Sequence, residues 1–178
     1  MGTAIGEYAP DFELPGIDNS VHHLARYLQK FRAVGVVFMC NHCPYVQLYL
    51  ERLKQIQAEF ASQGFTLIGI NPNDAEQLPE DSFDHMKLFG EKYALNFPYL
   101  RDVTQDVAQS FGATKTPQAF LIDQAGILSY CGQIDDNPDR PTAVSQSYLR
   151  TAIAQILSGN AIAPAATSPV GCSIKWRT

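Results

Sequence analysis

No apolar run in this chain comes near the roughly 20 residues that a helix needs to cross a bilayer, so no membrane-spanning segment is expected. Basic residues are also few. Thirteen Lys and Arg against eighteen Asp and Glu give a net charge of −5, which argues against a nucleic-acid-binding surface. Cysteine is sparse: four residues in 178 are too few for a disulfide scaffold and point to a reducing, cytoplasmic-type compartment. The segment Met1–Pro10 lacks the basic start and apolar core of a secretory signal, so none is expected. There is no second Cys-x-x-Cys and no His pair at ligand spacing, which disfavours a zinc ribbon. What is present is a hydrophobic fraction of 46% in a length suited to one domain with a sizeable core. That domain is expected over residues 1–160, followed by a tail, 161–178.

Most of the chemical information lies in residues 33–44. Ala33–Met39 is an apolar run rich in β-branched residues and reads as a buried strand. Cys40 and Cys43 follow, two residues apart, then Pro44. Val46, Leu50, Leu53, Ile56 and Phe60 then recur at helical spacing. The order is strand, Cys-x-x-Cys, helix. A helix entrance carries unpaired N–H groups and the positive end of the macrodipole, so a thiolate placed there is stabilised. Pro44 fits a first helical position, where its missing N–H has no intrahelical partner. One thiol of such a pair attacks a disulfide and the other resolves the mixed disulfide. Cys40, at the exposed edge, is expected to attack, and Cys43, one turn in, to resolve.

The rest of the chain alternates strands and helices. Ala9–Gly16 reads as an extended segment ending in a turn, with Val21–Leu24 as its hairpin partner and Ala25–Lys30 as a short helix. His22 and His23 fall on opposite faces of a strand and do not form a ligand pair. Phe65–Ile70 is a second buried strand, broken by Asn71-Pro72-Asn73-Asp74. Asp81 or Ser82 caps a helix bearing Phe83, Met86, Phe89 and Tyr93. Phe97–Leu100 is a strand and Val107–Phe111 a short helix closed by Gly112. Ala119–Ile122 and Ile127–Cys131 form a hairpin, with Cys131 a packing residue, and Thr142–Ser158 is a last amphipathic helix. The tail lacks periodicity, yet it ends Gly171-Cys172-Ser173-Ile174-Lys175-Trp176. An apolar, aromatic end of this kind is expected to pack back on the domain.

Thr116-Pro117 stands directly before a strand, where a proline needs a reason. Taken with strand-CxxC-helix, this order resembles the thioredoxin-like superfamily. More narrowly, the chain resembles the alkyl hydroperoxide reductase and thiol-specific antioxidant (AhpC/TSA) redoxins. That resemblance rests on Ala9-Pro10-Asp11-Phe12, Phe38-Met39-Cys40-Asn41-His42-Cys43-Pro44-Tyr45-Val46, Thr116-Pro117-Gln118-Ala119-Phe120, Gly132-Gln133-Ile134-Asp135-Asp136 and the Gly171–Trp176 end. It implies an α/β fold: a thioredoxin-like mixed sheet flanked by helices, with an N-terminal β-hairpin extension and the dithiol at a strand end. It also implies a cis Pro117 facing the dithiol, with the backbone of Thr116 left to pair with a substrate chain, and supporting roles for Asn41 and His42.

Three functional readings follow. The first is a thiol–disulfide oxidoreductase that needs no cofactor and exchanges electrons with thioredoxin or another dithiol/disulfide protein. The second is a thiol-dependent peroxidase. A peroxiredoxin has Pro-x-x-x-Thr-x-x-Cys and a later Arg; here Val36 and Cys40 replace the Pro and Thr if Cys43 is the reactive residue, and no Arg lies between Arg101 and Arg140. The third is a metal-binding protein using Cys40, Cys43 and a His or Cys172. The thioredoxin pattern is also incomplete, since Met39 replaces the usual Trp and the preceding strand carries no carboxylate to accept a proton. His42 before the second Cys resembles disulfide-oxidising relatives and implies a raised reduction potential; alternatively it only sits on the surface. Cys172 is either a third redox thiol reaching Cys40 or Cys43, or a lone buried thiol.

Overall fold

The computed structural model describes residues 2–178. Near the N-terminus, β1 (Glu13–Pro15) pairs antiparallel with β2 (Val21–His23). Asp18 shapes the turn between them by accepting from the backbone N–H and hydroxyl of Ser20. A short helix, α1 (Leu24–Lys30), leads into β3 (Ala33–Phe38), which is buried along its whole length. Helix α2 (Pro44–Phe60) follows and runs into a 3-10 turn that Gly64 closes in a left-handed conformation. Then come β4 (Phe65–Asn71), α3 (Phe83–Lys92), β5 (Tyr99–Arg101) and α4 (Asp106–Phe111). The chain continues through β6 (Lys115–Thr116), β7 (Gln118–Asp123), β8 (Leu128–Gly132), α5 (Tyr148–Leu157) and β9 (Cys172–Ser173).

The central sheet has five strands in the order β5-β4-β3-β7-β8. β3 runs parallel to β4 and antiparallel to β7, so the sheet is mixed. Alternation along β3 divides the core in two. Ala33 and Val37 join the cluster that includes Leu50, Leu53, Met86 and Ile153, on the side of α2, α3 and α5. Val34, Val36 and Phe38 join Leu24, Phe111 and Phe120 on the side of α1 and α4. Among the described residues no helix is long and apolar enough to cross a membrane.

Strand register positions the site. The parallel strands β3 and β4 end together, with Phe38 opposite Ile70. The antiparallel β7 starts at that same edge, with Gln118 opposite Phe38. The Cys40–Cys43 loop, the Asn71–Asp74 segment and Thr116-Pro117 are therefore brought to one end of the sheet. In open α/β sheets the carboxyl ends of parallel strands are where ligands bind.

One expected boundary moves, and one open alternative is decided. The last helix starts at Tyr148, not Thr142. Asp136 holds the preceding segment in a loop by accepting from the backbone N–H and hydroxyl of Ser145 and by donating its own N–H to Gln146 O. The other concerns Asp81 and Ser82: the serine caps α3, accepting from the N–H of His85, and Asp81 turns inward.

The tail follows the domain surface in two anchored stretches. Thr167 lies against β8: its N–H donates to Cys131 O, and its hydroxyl meets Tyr130 Oη at 2.7 Å and accepts from Gln133 N–H. Gly132 permits this approach, since a Cβ there would strike Thr167. Further on, β9 pairs antiparallel with β6, placing Cys172 opposite Thr116 and Ser173 opposite Lys115. Ile174 is buried and Trp176 half-buried against the second core cluster.

Candidate active site

Cys43 is the N-cap of α2 and Pro44 its first residue, so both cysteines of the motif stand at the helix entrance. The backbone N–H groups of His42 and Cys43 draw the Cys40 pKa down, as expected for a thiol at a helix entrance. Its Sγ lies 3.5 Å from the Thr116 hydroxyl. Cys43 Sγ lies 3.3 Å from the Thr116 carbonyl oxygen. The Thr116–Pro117 peptide bond is cis, and both residues are buried.

Of the two readings of Cys172, the structure shows the one in which its sulfur reaches the motif, while Cys40 and Cys43 are not bonded to each other. Cys43 is bonded to Cys172, 129 residues away, with Cα atoms 6.3 Å apart; Cys40 is a free thiol. The cause is the β6–β9 pairing, which lays Cys172 opposite Thr116 and so against the sulfur beside that residue's carbonyl. Nor does Cys40 sit at an exposed edge. It is only 2% accessible, and its pKa is raised, first by burial and then by the nearby Asp81, against the opposing hydrogen bonds from Thr116, His42 and Cys43. His42 is exposed, on the rim.

A buried polar cluster backs Cys40. Asp81 has no accessible surface. Its carboxylate accepts from Asn41 N–H at 2.7 Å, Asn71 Nδ2 at 3.1 Å and Asn73 Nδ2 at 3.0 Å. Tyr99 Oη donates to Asn41 Oδ1 at 2.7 Å and accepts from Asn71 Nδ2. Burial, with Cys40 and Asp81 nearby, holds the Tyr99 phenol well above its ordinary range. Asn41 thus fixes the Cys-x-x-Cys loop through both backbone and side chain. β3 carries no carboxylate, and the one near Cys40, Asp81, comes from the segment before α3. In the sequence, Asn71–Asp74 reads as a strand breaker and Asp81 as a cap candidate. The available signal was a run of Asn and Asp at the carboxyl end of a buried parallel strand, the usual place for a site.

The model of the AhpC/TSA family matches residues 5–131, which span both the hairpin and the Cys-x-x-Cys element. The chain belongs to the AhpC/TSA family. Among curated relatives, the thiol-disulfide oxidoreductase ResA of Geobacillus thermodenitrificans is 25% identical over 69% of this chain and 66% of its own length, just under two thirds. The thiol:disulfide interchange protein DsbE of Escherichia coli (strain K12) is 30% identical over 75% of this chain and 68% of its own. The crystal structure of a hypothetical protein from Sinorhizobium meliloti 1021 is 35% identical, with a TM-score of 0.92, covering 99% of this chain and 96% of that one. The fold of this AhpC/TSA chain is thioredoxin-like.

In this AhpC/TSA chain a cavity of about 440 Å³ opens onto the sulfurs. Cys40, Cys43, Cys172, Asp81 and Asn73 line it, with His42 and Lys175 also on its wall. Arg101 does not contribute. Its guanidinium is buried and donates to the carbonyls of Asn71 and Asn73. A larger hollow of about 580 Å³, bordered by Arg32, Asp123 and Asn160, lies apart from the sulfurs and contains no cysteine. While the Cys43–Cys172 bond stands, those two sulfurs cannot ligate a metal. His22 bonds Asp18 and Tyr27, and His23 pairs with Glu13, so neither His joins this site.

Proposed function

We propose that the chain is a thiol–disulfide oxidoreductase that exchanges electrons with thioredoxin or another dithiol/disulfide protein, using Cys40 and Cys43 with Cys172 as a third sulfur. The observation that carries this reading is the gathering of a free thiol and a disulfide at one helix entrance. Such a set exchanges by thiolate attack on a sulfur, and no bound cofactor is needed because the sulfurs themselves hold the two electrons. The names of the ResA and DsbE relatives support the same class. Asn41 and Asp81 hold the loop that carries Cys40, and Thr116, joined to Pro117 by a cis bond, touches both motif sulfurs.

Turnover of a disulfide-bonded protein substrate by the reduced chain, recycled by a thioredoxin system, tests this. Activity is expected in the parent and a loss of at least about 100-fold in Cys43→Ser, since no bond to the exchanging sulfur can then form. A parent that reduces and oxidises no protein disulfide contradicts the proposal. Peroxide consumption under the same conditions is expected to be slow, because the Cys40 thiol is buried with a raised pKa and Arg101 is turned onto backbone carbonyls.

A further inference from the structure

Strand β6 is two residues long, and its partner in the sheet is β9. A short strand edge beside a reactive sulfur is where an extended peptide can add by backbone pairing. The tail already occupies that edge as such a peptide would. Cys172 faces Thr116 and bonds Cys43. The residue before it, Gly171, passes so close that a Cβ would run into the Thr116 carbonyl and crowd Pro117 N. Two residues beyond the cysteine, Ile174 donates its N–H to Thr114 O and is buried. Lys175 N–H then donates to Asn73 Oδ1, and Lys175 O accepts from Gln105 Nε2.

We infer that the tail is a tethered stand-in for substrate, and that the β6 edge recognises an extended segment of a partner protein reading Gly-Cys-x-aliphatic. This rests on the oxidoreductase reading and names the partner's chemistry. The glycine is demanded by the close pass over Thr116, the cysteine by Cys43, and the aliphatic residue by the Ile174 site. Access comes by exchange. The Cys40 thiolate attacks Cys43 Sγ, the Cys40–Cys43 bond forms, the Cys43–Cys172 bond breaks, and the electron pair leaves on Cys172. The number of disulfides is unchanged, so no outside oxidant enters. The tail is then held by non-covalent contacts alone. Once a partner segment replaces it, the partner's thiolate attacks Cys43 Sγ and expels the Cys40 thiolate.

The test uses reduced full-length Cys172→Ser, whose tail is seated but has no thiol, and Gly171→Ala/Cys172→Ser, whose tail is forced off the edge. The probes are a synthetic peptide copying residues 168–178, the same peptide with alanine in place of its glycine, and glutathione. Each carries its cysteine as a disulfide with thionitrobenzoate. Attack by the Cys43 thiolate on the probe's cysteine sulfur releases coloured thionitrobenzoate, and mass spectrometry locates the new bond. The double variant is expected to react with the glycine peptide about tenfold faster than Cys172→Ser does, and about tenfold faster than with the alanine peptide or glutathione. Equal rates for all three probes on both variants overturn the recognition surface and leave the exchange chemistry standing. No reaction at Cys43 with any probe, glutathione included, overturns the oxidoreductase reading as well. If oxidised parent instead forms chain pairs linked through Cys172, the occupant of the edge is a second copy and the proposal fails.

Discussion

The contest at Cys40 is between burial, which opposes charge, and the helix-entrance N–H groups, which favour it. Burial wins, aided by Asp81, and the thiol pKa lies above the ordinary 9.0. With the Cys43–Cys172 bond in place, the native state therefore holds this proton more tightly than the unfolded chain does. The resulting contribution to stability is complete below pH 9.0 and is lost as pH rises through the higher native value. Denaturant titrations of the protein with the Cys43–Cys172 bond intact are expected to show a loss of stability above that pH, and Cys40→Ser is expected to reduce it. Asp81→Asn removes the second cause while preserving shape. Iodoacetamide is then expected to label Cys40 several-fold faster at neutral pH, with the rate still rising into the alkaline range because burial remains. An unchanged rate contradicts the assignment of Asp81. Asp81→Ala takes the acceptor from Asn41 N–H and Asn73 Nδ2 and leaves Asn71 Nδ2 only its bond to Tyr99, and is expected to destabilise by about 3 kcal/mol in thermal or denaturant unfolding.

The elements that were legible in sequence are those made by local forces. The β-branched run of β3, the three-four spacing of α2, the glycine after it and the serine before α3 each act within a few residues. What was not legible depends on contacts across the chain. Asp81 is a partner of Asn41, 40 residues away. The late start of α5 follows from the hold of Asp136 on Ser145 and Gln146. The charge that ties α2 to the loop after β8 was likewise hidden. Arg52 pairs with Asp135 at 2.8 Å and donates to the carbonyls of Asn137 and Pro138, and both charged side chains are largely buried. Asp135 also accepts from Tyr49 Oη. Asp135→Ala strands the guanidinium and is expected to lose about 3–5 kcal/mol of unfolding free energy, far more than an exposed pair such as Arg150–Glu59 contributes.

Topology joins these pieces into a site. Parallel β3 and β4 end where antiparallel β7 begins, so the helix entrance, the Asn–Asp cluster and Thr116-Pro117 share one end of the sheet. The tail then crosses the same end and brings a sulfur from 129 residues away. Sequence indicated that an apolar end would fold back, but no local pattern specified that Cys172 would bond Cys43 and leave Cys40 free. That choice is made by the register of β9 on β6. Ile174 is the apolar anchor of that register. Ile174→Ala gives up about 2–3 kcal/mol of burial and packing. Amide exchange at Cys172 and Ile174 is expected to speed up while β3 and β4 stay protected.

Reversible bonding at Cys43 is the step on which the proposed exchange depends. Its most direct test is a disulfide map across a graded series of glutathione redox buffers, each sample quenched with an alkylating agent and read by mass spectrometry. The predicted result is one two-electron transition, from four alkylated cysteines to a Cys43–Cys172 bond with Cys40 and Cys131 still alkylated. Cys43 found alkylated at every potential would contradict it.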